Sequence, residues 1–423
     1  MARTKLLYVC LDGLGDEPNP VLGDRTPLES ASTPFLDGLA ARGREGLVHT
    51  VGPDIAPESD IAVFAILGYD PQEEHPGRGV LEALGSGMEF HDGELAHRVN
   101  FATAHGEEIV DRRVGRDLPS EDARALAEEV NRSVRLGGAT FELRATVEHR
   151  GALVIRTTEG RLSANVSNTD PAYARRGSLG VALESFEDRV AWAEPLDGSQ
   201  EARHAAELTN EFVRESARVL DSSATNDRRR REGRLPANLI LTRDAGDHVP
   251  SLQPIDERFG PSWGCFVEMP VERGIAQLLG MAEVPAPTPE DPENRYAAWA
   301  DLAGQALQGH DAVYAHIKGP DIPSHDGRAE DKREVIEVID RAFFGGVLSA
   351  SDPASVVVAV TADHATSCLR KAHTAAAVPL VVAGPGVQAD GASAFGERAA
   401  ADGSIGTIRG VDIVPRLIGL LNQ

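Results

Sequence analysis

Short apolar runs rich in β-branched residues are the feature that most constrains the fold of this chain. Five of them are predicted to be buried strands: LLYVCL, NLILT, AVYAHI, SVVVAV and PLVVAG. Apolar runs of this length are typical of strands that are covered on both faces. Helical patterns lie between several of the runs. The alternation therefore predicts an α/β fold with a doubly wound, mostly parallel sheet.

Two of the helical patterns carry clear boundary signals. The segment TPFLDGLAARG has Thr33 at the N-cap, Pro34 at the first helical position and Gly43 just beyond the end. The segment AEDKREVIEVIDRAFFGG has apolar residues at helical spacing, and we predict that this helix ends at Gly345 and Gly346.

The middle of the chain has a different pattern, in which strand-like pieces such as ALVIR accompany a polar helix near EDARALAEEVNRSV. We predict a core domain of residues 1–80 and 236–423, with its sheet resuming at NLILT, and an inserted smaller α+β domain of residues 81–235. The insertion ends in the charge run DRRRREGR. Its arginines either bind an anion or form a solvated helix end, and the second is the commoner role of such runs.

The composition excludes several classes of protein. The 423 residues carry a net charge of −24, which argues against binding to nucleic acid or to anionic membranes. Three cysteines, Cys10, Cys265 and Cys368, are too few and too far apart for a disulfide framework. The apolar stretch near the N-terminus stops at Asp12, too early for an export signal. We therefore expect a cytoplasmic protein, whose oligomeric state the sequence leaves open.

Acidic and imidazole side chains follow three of the predicted strands. Because the carboxyl ends of parallel strands meet at one edge of a sheet, residues placed there converge on a ligand site. Any one of these residues alone is more often a helix cap or a satisfied polar group, whereas the whole set indicates a site. The set comprises Asp12 after LLYVCL, Lys318, Asp321 and His325 after AVYAHI, Asp363 and His364 after SVVVAV, and His373 on the connection that follows.

The types of these side chains indicate divalent metal ions. Three carboxylates and three imidazoles favour Mn²⁺, Zn²⁺ or Mg²⁺, and six ligands exceed the needs of one tetrahedral ion. A pair of ions can clamp the oxygens of a phosphoryl group during transfer, so a phosphate ester is the predicted substrate. Ser59, before the apolar run IAVFAIL, is predicted to be an N-cap, a phosphate-accepting nucleophile, or both.

Longer motifs extend the interpretation over nearly the whole chain. They are LDGLGD, APESDIAVFAILGYDP, GRGVLEALG, RVNFAT, DRRVGR, HIKGPDIPSHDG, TADH, HTAAAVP and IRGVDIVP. In their order and spacing the chain resembles the cofactor-independent, or 2,3-bisphosphoglycerate-independent, phosphoglycerate mutases of the archaeal type, which belong to the alkaline phosphatase superfamily. The resemblance implies an alkaline phosphatase-like sheet interrupted by a smaller domain.

The same resemblance implies specific roles. Asp12, Ser59, Asp363 and His364 would bind one divalent ion, and Asp321, His325 and His373 would bind the other. Manganese is favoured, with zinc, cobalt and magnesium as alternatives. Ser59 would be the phosphoserine nucleophile of an isomerase that interconverts 3-phosphoglycerate and 2-phosphoglycerate in glycolysis and gluconeogenesis.

A phosphoglycerate also carries a carboxylate, so further cations must receive it. We predict that Lys318 and Arg243 take part in catalysis, and that the insertion acts as a lid that excludes water. Each arginine alone is more often a surface charge than a ligand contact. The predicted substrate-binding residues of the insertion are Arg98, Arg112, Arg113, Arg116, Arg150 and Asp170, and His149 is a further candidate.

Two segments depart from the family's usual pattern and keep other functions open. The family commonly has Gly and Asp after the histidine of HTAAAVP, and a proline at the position of Ser367. One alternative is a phosphotransferase or hydrolase acting on another phosphorylated or phosphonylated small acid. The other is a metal-bound binding protein without turnover, which the complete set of ligands argues against.

Overall fold

The structure is a computed structural model that describes residues 4–176, 179–183, 185–350, 352 and 354–422. The strands are β1 Lys5–Leu11, β2 Gly43–His49, β3 Leu95–His105, β4 Glu108–Asp111, β5 Ala139–Ala145, β6 Arg150–Thr157, β7 Tyr173–Arg176, β8 Leu179–Ala182, β9 Leu239–Gly246, β10 Trp263–Phe266, β11 Ala282–Glu283, β12 Ala312–Ile317, β13 Val356–Thr361, β14 Ala365–Ser367, β15 Ala372–Thr374, β16 Val378–Ala383 and β17 Gly406–Arg409. The helices are α1 Pro27–Ser30, α2 Pro34–Arg42, α3 Ser59–Ile66, α4 Pro71–Glu74, α5 Arg78–Gly85, α6 Ser120–Ser133, α7 Gln200–Asp221, α8 Ala224–Arg231, α9 Ile255–Phe259, α10 Pro270–Leu278, α11 Pro292–Gly309, α12 Asp321–Asp326, α13 Ala329–Ile339, α14 Gly345–Ala350, α15 Glu397–Asp402 and α16 Ile413–Leu421.

The chain forms two compact units, one of Met1–Glu74 with Leu252–Gln423 and the other of His75–Ser251. The first unit contains an eight-stranded sheet in the order β11-β10-β12-β1-β13-β16-β2-β17. Strand β1 lies in the middle and pairs in parallel with both β12 and β13. Only the pairs of β16 with β13 and with β2 are antiparallel within this sheet. The predicted α/β fold with a mostly parallel sheet is therefore confirmed.

Burial explains why the apolar runs form the centre of this sheet. Strands β12, β13 and β16 are buried along their whole length, and β1 is buried from Leu6 onward. Helices α11 and α16 pack against β1. Each fully buried aliphatic or aromatic side chain stabilises such a core by roughly 1.5–3 kcal/mol. The core therefore holds the ends of β1, β12 and β13 in a fixed arrangement.

Helix α2 has the predicted bounds, but the second predicted helix does not end at Gly345 and Gly346. Helix α13 continues through a π-helical turn, Asp340–Phe344, into α14. At this turn the Asp340 carboxylate accepts hydrogen bonds from the backbone N–H groups of Phe35 and Leu36 at the start of α2. An added Cβ at Gly345 would lie 3.0 Å from the Phe35 ring, so glycine here permits close packing and does not terminate the helix.

The second unit has its own antiparallel sheet, with strands in the order β4-β3-β6-β5 and with β9 paired to β3. The prediction that the core sheet resumes at NLILT is therefore wrong, because these residues form β9 and pair with β3. An apolar run shows that a strand is buried, but it does not identify its partner. The units also divide after Glu74 and after Ser251, whereas the sequence predicted divisions after residues 80 and 235.

The charge run DRRRREGR forms the end of α8 in the second unit. Arg229 is fully buried and donates to the carbonyl oxygens of Leu235 and Asp117, at 2.8 and 2.7 Å. Arg228 forms an ion pair with Asp122. These contacts support the interpretation of the run as a helix end, but the prediction that this end is solvated is wrong for Arg229, which is buried. Within the described ranges, no helix combines the length and apolar character that crossing a membrane requires.

Candidate metal centre

The ends of three neighbouring strands bring the predicted ligands of the first unit together. Strands β12, β1 and β13 are adjacent and parallel, so their carboxyl ends lie at the same edge of the sheet. Asp12 follows β1 directly, α12 begins four residues after β12, and the TADH segment extends from β13. Six predicted ligands and Ser59 form two contiguous groupings of side chains at this edge.

The first grouping surrounds the Nε2 atom of His364. This nitrogen lies 3.5 Å from Asp12 Oδ1, 3.2 Å from Asp363 Oδ2 and 3.1 Å from Ser59 Oγ. All four side chains are buried. Two carboxylates, one imidazole and one hydroxyl therefore converge on a small volume, as the ligands of one divalent ion would.

The fully buried helix α3 sets the position of Ser59. Ser59 is the first residue of this helix and Glu58 occupies the N-cap position, so the prediction of Ser59 as the N-cap is off by one residue. Every residue of α3 is buried, which fixes the helix rigidly. The Ser59 hydroxyl points toward His364 and lies at the positive end of the helix dipole.

The second grouping centres on Asp321 Oδ1, which lies 3.3 Å from His325 Nε2 and 3.9 Å from His373 Nε2. Asp321 and His325 are four residues apart on α12 and therefore share one face of that helix. His373 is oriented by a 2.8 Å hydrogen bond between its Nδ1 and the carbonyl oxygen of Pro57. Its ring stacks on His364 with 3.7 Å between centroids, which joins the two groupings.

Two buried oxygens in the first grouping, Asp12 Oδ1 and Asp363 Oδ2, have no hydrogen-bond partner within the described ranges. The other oxygen of each carboxylate is occupied, since Asp363 Oδ1 accepts from the backbone N–H groups of Gly13 and His364. Leaving such a buried acceptor unsatisfied costs roughly 1–3 kcal/mol. A divalent cation beside His364 Nε2 would satisfy both oxygens, so the residues present fit a metal ion.

Lys318 lies between the two groupings, with its ammonium 2.5 Å from Asp12 Oδ2 and 3.2 Å from Asp321 Oδ2. Burial alone would lower the pKa of Lys318, but these two carboxylates raise it well above its ordinary value. Burial would likewise raise the pKa of Asp12 and Asp321, but Lys318 and the neighbouring histidines together outweigh burial, and both pKa values are lowered. Both carboxylates therefore stay ionised and able to ligate a cation.

Burial also controls the remaining ligands. It lowers the pKa of His364, and burial together with the neighbouring His364 lowers the pKa of His373, so both rings are neutral as metal ligation requires. Burial and the adjacent Asp12 raise the pKa of Asp363 to about 7. A bound cation would oppose that rise by favouring the carboxylate.

His316 and Glu272 belong to this region, although sequence reasoning did not identify them. His316 lies within β12, its Nδ1 bonds the Tyr314 hydroxyl at 2.9 Å and its Nε2 bonds Asp12 Oδ2 at 3.1 Å. Glu272 Oε1 is 4.0 Å from the same Nε2. Asp12, Glu272 and His316 form a third grouping. Because Asp12 Oδ2 already interacts with His316 and Lys318, these contacts orient Asp12 and leave its Oδ1 as the free ligand atom. The histidine in the apolar run AVYAHI was the signal available from the sequence.

The predicted substrate-binding residues all lie in the second unit. Arg98 on β3 and Arg243 on β9 are direct partners across the sheet, and both are buried. No residue that the structure describes forms a hydrogen bond with Arg98 Nε or with Arg243 Nε and Nη1. Burial and the nearby Arg243 lower the pKa of Arg98 to about 9. Unpaired guanidinium donors of this kind suit an anion.

The other predicted residues of the second unit divide into two sets. Arg112 and Asp170 form a two-pronged ion pair with both hydrogen bonds at 2.7 Å, so Asp170 serves as the partner of Arg112. His149 is buried, and burial with four neighbouring arginines lowers its pKa to about 3. Those arginines are Arg150, Arg113, Arg98 and Arg116, of which Arg116 is exposed.

Comparisons with known proteins agree over the whole chain. The sequence model of a family described as 2,3-bisphosphoglycerate-independent phosphoglycerate mutase matches residues 40–226. A protein of that name from Aeropyrum pernix is 42% identical over 426 residues, covering 99% of each chain, and one from Thermococcus kodakarensis is 36% identical, covering 100% of this chain and 98% of its own.

Two solved structures extend the agreement to the fold. A protein from Pyrococcus horikoshii is 31% identical with a TM-score of 0.81, covering 100% of this chain and 98% of its own. The cofactor-independent phosphoglycerate mutase of Thermoplasma acidophilum is 32% identical with a TM-score of 0.66, covering 99% of this chain and 100% of its own. Sequence and structure together show that this chain belongs to the family of 2,3-bisphosphoglycerate-independent phosphoglycerate mutases.

Proposed function

We propose that this protein is an isomerase that interconverts 3-phosphoglycerate and 2-phosphoglycerate. Its family membership supports this activity. The observation that carries the proposal is the Ser59 hydroxyl, which lies 3.1 Å from His364 Nε2 beside two unsatisfied carboxylate oxygens. A nucleophile placed among metal ligands is what phosphoryl transfer through a phosphoserine requires.

The two groupings of the first unit would hold two divalent ions, for which manganese is favoured and zinc, cobalt and magnesium are alternatives. Bound ions of this kind stabilise an alkoxide at neutral pH and draw negative charge away from a phosphoryl group. One ion would be held by Asp12, Ser59, Asp363 and His364, and the other by Asp321, His325 and His373.

Ser59 would carry the phosphoryl group between the two substrate positions. Its hydroxyl gives up its proton and its oxygen forms a bond to phosphorus as the ester bond to one glycerate oxygen breaks, and that glycerate oxygen takes up a proton. The other glycerate hydroxyl then gives up its proton and bonds to phosphorus, the bond between phosphorus and the Ser59 oxygen breaks, and the Ser59 oxygen regains a proton. Lys318 is the proposed charge partner and hydrogen-bond donor for the reacting oxygens, because Asp12 and Asp321 keep its ammonium protonated in this region.

The second unit would retain the glycerate while its phosphoryl group is on Ser59. Glycerate that left the site would expose the phosphoserine to water, and hydrolysis would replace isomerisation. Arg98 and Arg243 have the unpaired donors that a carboxylate needs. Arg112, Arg113, Arg116 and Arg150 would add positive charge, and the unit would act as a lid.

One assay tests the proposal directly. We would incubate the metal-loaded protein with 3-phosphoglycerate and measure both 2-phosphoglycerate and free phosphate, with a chelator-treated sample as the control. Formation of 2-phosphoglycerate is expected. Release of phosphate alone would indicate a hydrolase, and the absence of both products would redirect the search to other phosphorylated or phosphonylated acids or to a binding role. A cytoplasmic location, as glycolysis and gluconeogenesis require, stays a prediction.

A further inference from the structure

Thr366, on the short strand β14, connects the two groupings through one hydroxyl. Its Oγ1 lies 3.0 Å from His364 Nδ1 and donates a hydrogen bond to Asp321 Oδ1 at 2.9 Å. The side chain is fully buried, so water does not replace either contact. His364 belongs to the first grouping and Asp321 to the second. The residue was not among those that the sequence singled out.

The chemistry of a hydroxyl fixes the direction of both hydrogen bonds. Ionised Asp321 is an acceptor only, so the single proton of Thr366 must point toward it. The Thr366 oxygen is then an acceptor for His364, which requires the proton of the neutral ring to be on Nδ1. The lone pair of His364 is consequently on Nε2, the atom that faces Ser59, Asp12 and Asp363.

We propose that Thr366 is a positioning residue that holds His364 in the Nδ1–H tautomer and ties its orientation to that of Asp321. A partner on the second nitrogen of a histidine sets which nitrogen can bind metal. Here one hydroxyl orients one ligand in each of the two groupings. The inference rests on the proposed function in one respect, because it takes the two groupings to be metal ligands.

The backbone of Thr366 is held as firmly as its side chain. Its N–H donates to the carbonyl oxygen of Gly15 at 3.0 Å, and its carbonyl accepts from Lys332 Nζ at 3.0 Å. Lys332 is fully buried, and its other two bonds reach Gly15 O and Asp16 Oδ2, both at 3.1 Å. All three ammonium protons therefore fasten β14 to the loop after β1, which places the hydroxyl accurately.

The Thr366 hydroxyl and the Asp321 carboxylate both pack closely against Gly13. A Cβ added at Gly13 would lie 2.8 Å from both Thr366 Oγ1 and Asp321 Oδ1, and Gly13 has a φ of +63°. Thr366 also faces His373 across the β14–β15 pair, so the same hairpin carries a second ligand. The bridge is thus built into the site and is not a chance contact of a mobile side chain.

The test uses the full chain labelled with ¹⁵N-histidine and stripped of metal, at a pH above the range in which histidine titrates. Long-range ¹H–¹⁵N spectra distinguish protonated from bare ring nitrogens, and a His364→Gln variant assigns the signals. We expect Nδ1 of His364 to carry the proton in the natural protein. A proton on Nε2 would overturn the proposal without recourse to any Thr366 variant.

Two variants then measure the effect of the bridge. Thr366→Val keeps the shape but removes the hydroxyl, and we expect Mn²⁺ affinity to fall about 10- to 100-fold with loss of the single tautomer. Thr366→Ser keeps the hydroxyl and should remain within about threefold of the natural protein. Unchanged Mn²⁺ affinity and tautomer in Thr366→Val would refute the proposal. Both readouts need no phosphoglycerate, so failure of the mutase assay would count against the proposed function alone.

Discussion

The two units of this protein carry clusters of opposite charge, and each lacks a different kind of partner. Among the described residues, Asp12 and Asp363 of the first unit each leave one buried carboxylate oxygen without a hydrogen bond, whereas Arg98 and Arg243 of the second unit leave buried guanidinium N–H groups without an acceptor. Unpaired buried polar groups are costly, and native proteins retain few of them. The contrast supports the proposal of cation sites in the first unit and an anion site in the second.

The clusters also differ in how tightly their side chains are held. The carboxylates of the first unit are fastened by backbone N–H groups, Lys318 and His316. In the second unit Arg98 contacts Glu82 at 3.7 Å, and Arg243 lies 3.7 Å from Asp244 Oδ2 and 3.7 Å from the centre of the Tyr173 ring. Metal ligands must be placed in advance, whereas planar guanidinium groups can adapt to an arriving carboxylate or phosphate.

The largest effect is expected when the proposed nucleophile of the first cluster is removed. Ser59→Ala should lower kcat by at least about a thousandfold, because it removes the hydroxyl that is proposed to accept the phosphoryl group, while three protein ligands still hold the ion. Mutase assays and measurement of bound metal together check this. Ser222→Ala, at an exposed helix end, is the control and should behave normally. Turnover retained in Ser59→Ala would eliminate the phosphoserine route.

Removing a ligand of the second grouping should have the next largest effect. Asp321→Asn is expected to lower kcat about a hundredfold or more and to weaken metal binding, because it removes the charge shared by His325, Lys318 and Thr366. Metal titration followed by calorimetry provides the measurement. Asp326→Asn, an exposed position on the same helix, is the matched control. Equal metal binding in the two variants would remove Asp321 from the centre.

The cationic cluster should respond differently to the loss of a charge. Arg243→Met is expected to lower kcat/KM about 10- to 100-fold, because a hydrogen bond to a charged group contributes about 1.5–3 kcal/mol. Metal content should not change, and steady-state kinetics with metal analysis reports both. Arg203→Met removes an exposed arginine of α7 as the control. Metal loss in Arg243→Met, or unchanged kinetics, would contradict the division of roles between the clusters.

Glu45 belongs to neither cluster and provides a further comparison. Both of its buried carboxylate oxygens lack a hydrogen bond within the described residues. Burial, with Asp390 and Asp37 nearby, raises its pKa to about 8. The folded state therefore keeps a proton that the unfolded state loses near pH 4.3, so stability falls as pH rises between these values. Glu45→Gln avoids this loss and should raise Tm by about 2–4 °C near pH 9, on the scale of roughly 1 kcal/mol.

Thermal unfolding across pH provides the measurement for Glu45. The gain in Tm over the natural protein should shrink toward pH 5, where the carboxyl is protonated in the folded state. Glu330→Gln, at an exposed position, should show no such trend. A Tm difference that is constant with pH would mean that ionisation of Glu45 has no part in the stability of this unit.

The sequence predicted most of what depends on short segments. Strands β1, β12, β13 and β16 were evident as apolar runs, and the acidic and imidazole residues that follow the first three were evident from position. The prediction failed for β9, which has the same apolar character but pairs with β3. The sequence analysis also missed His316, whose only signal is a polar residue inside an apolar run, and Thr366. The hydroxyl side chain of Thr366 does not differ in local pattern from one that serves packing alone.

The sequence by itself determined that apolar runs form buried strands, and that carboxylates and imidazoles follow the parallel ones at one edge of the sheet. Both features are properties of short segments, because they depend on local burial and side-chain chemistry. Only the tertiary structure decided which oxygen of Asp12 is free, which nitrogen of His364 faces Ser59, and that Thr366 joins the two groupings. Those outcomes depend on contacts between residues as far apart as Asp12 and His316, whose distances and directions are set when the sheet assembles.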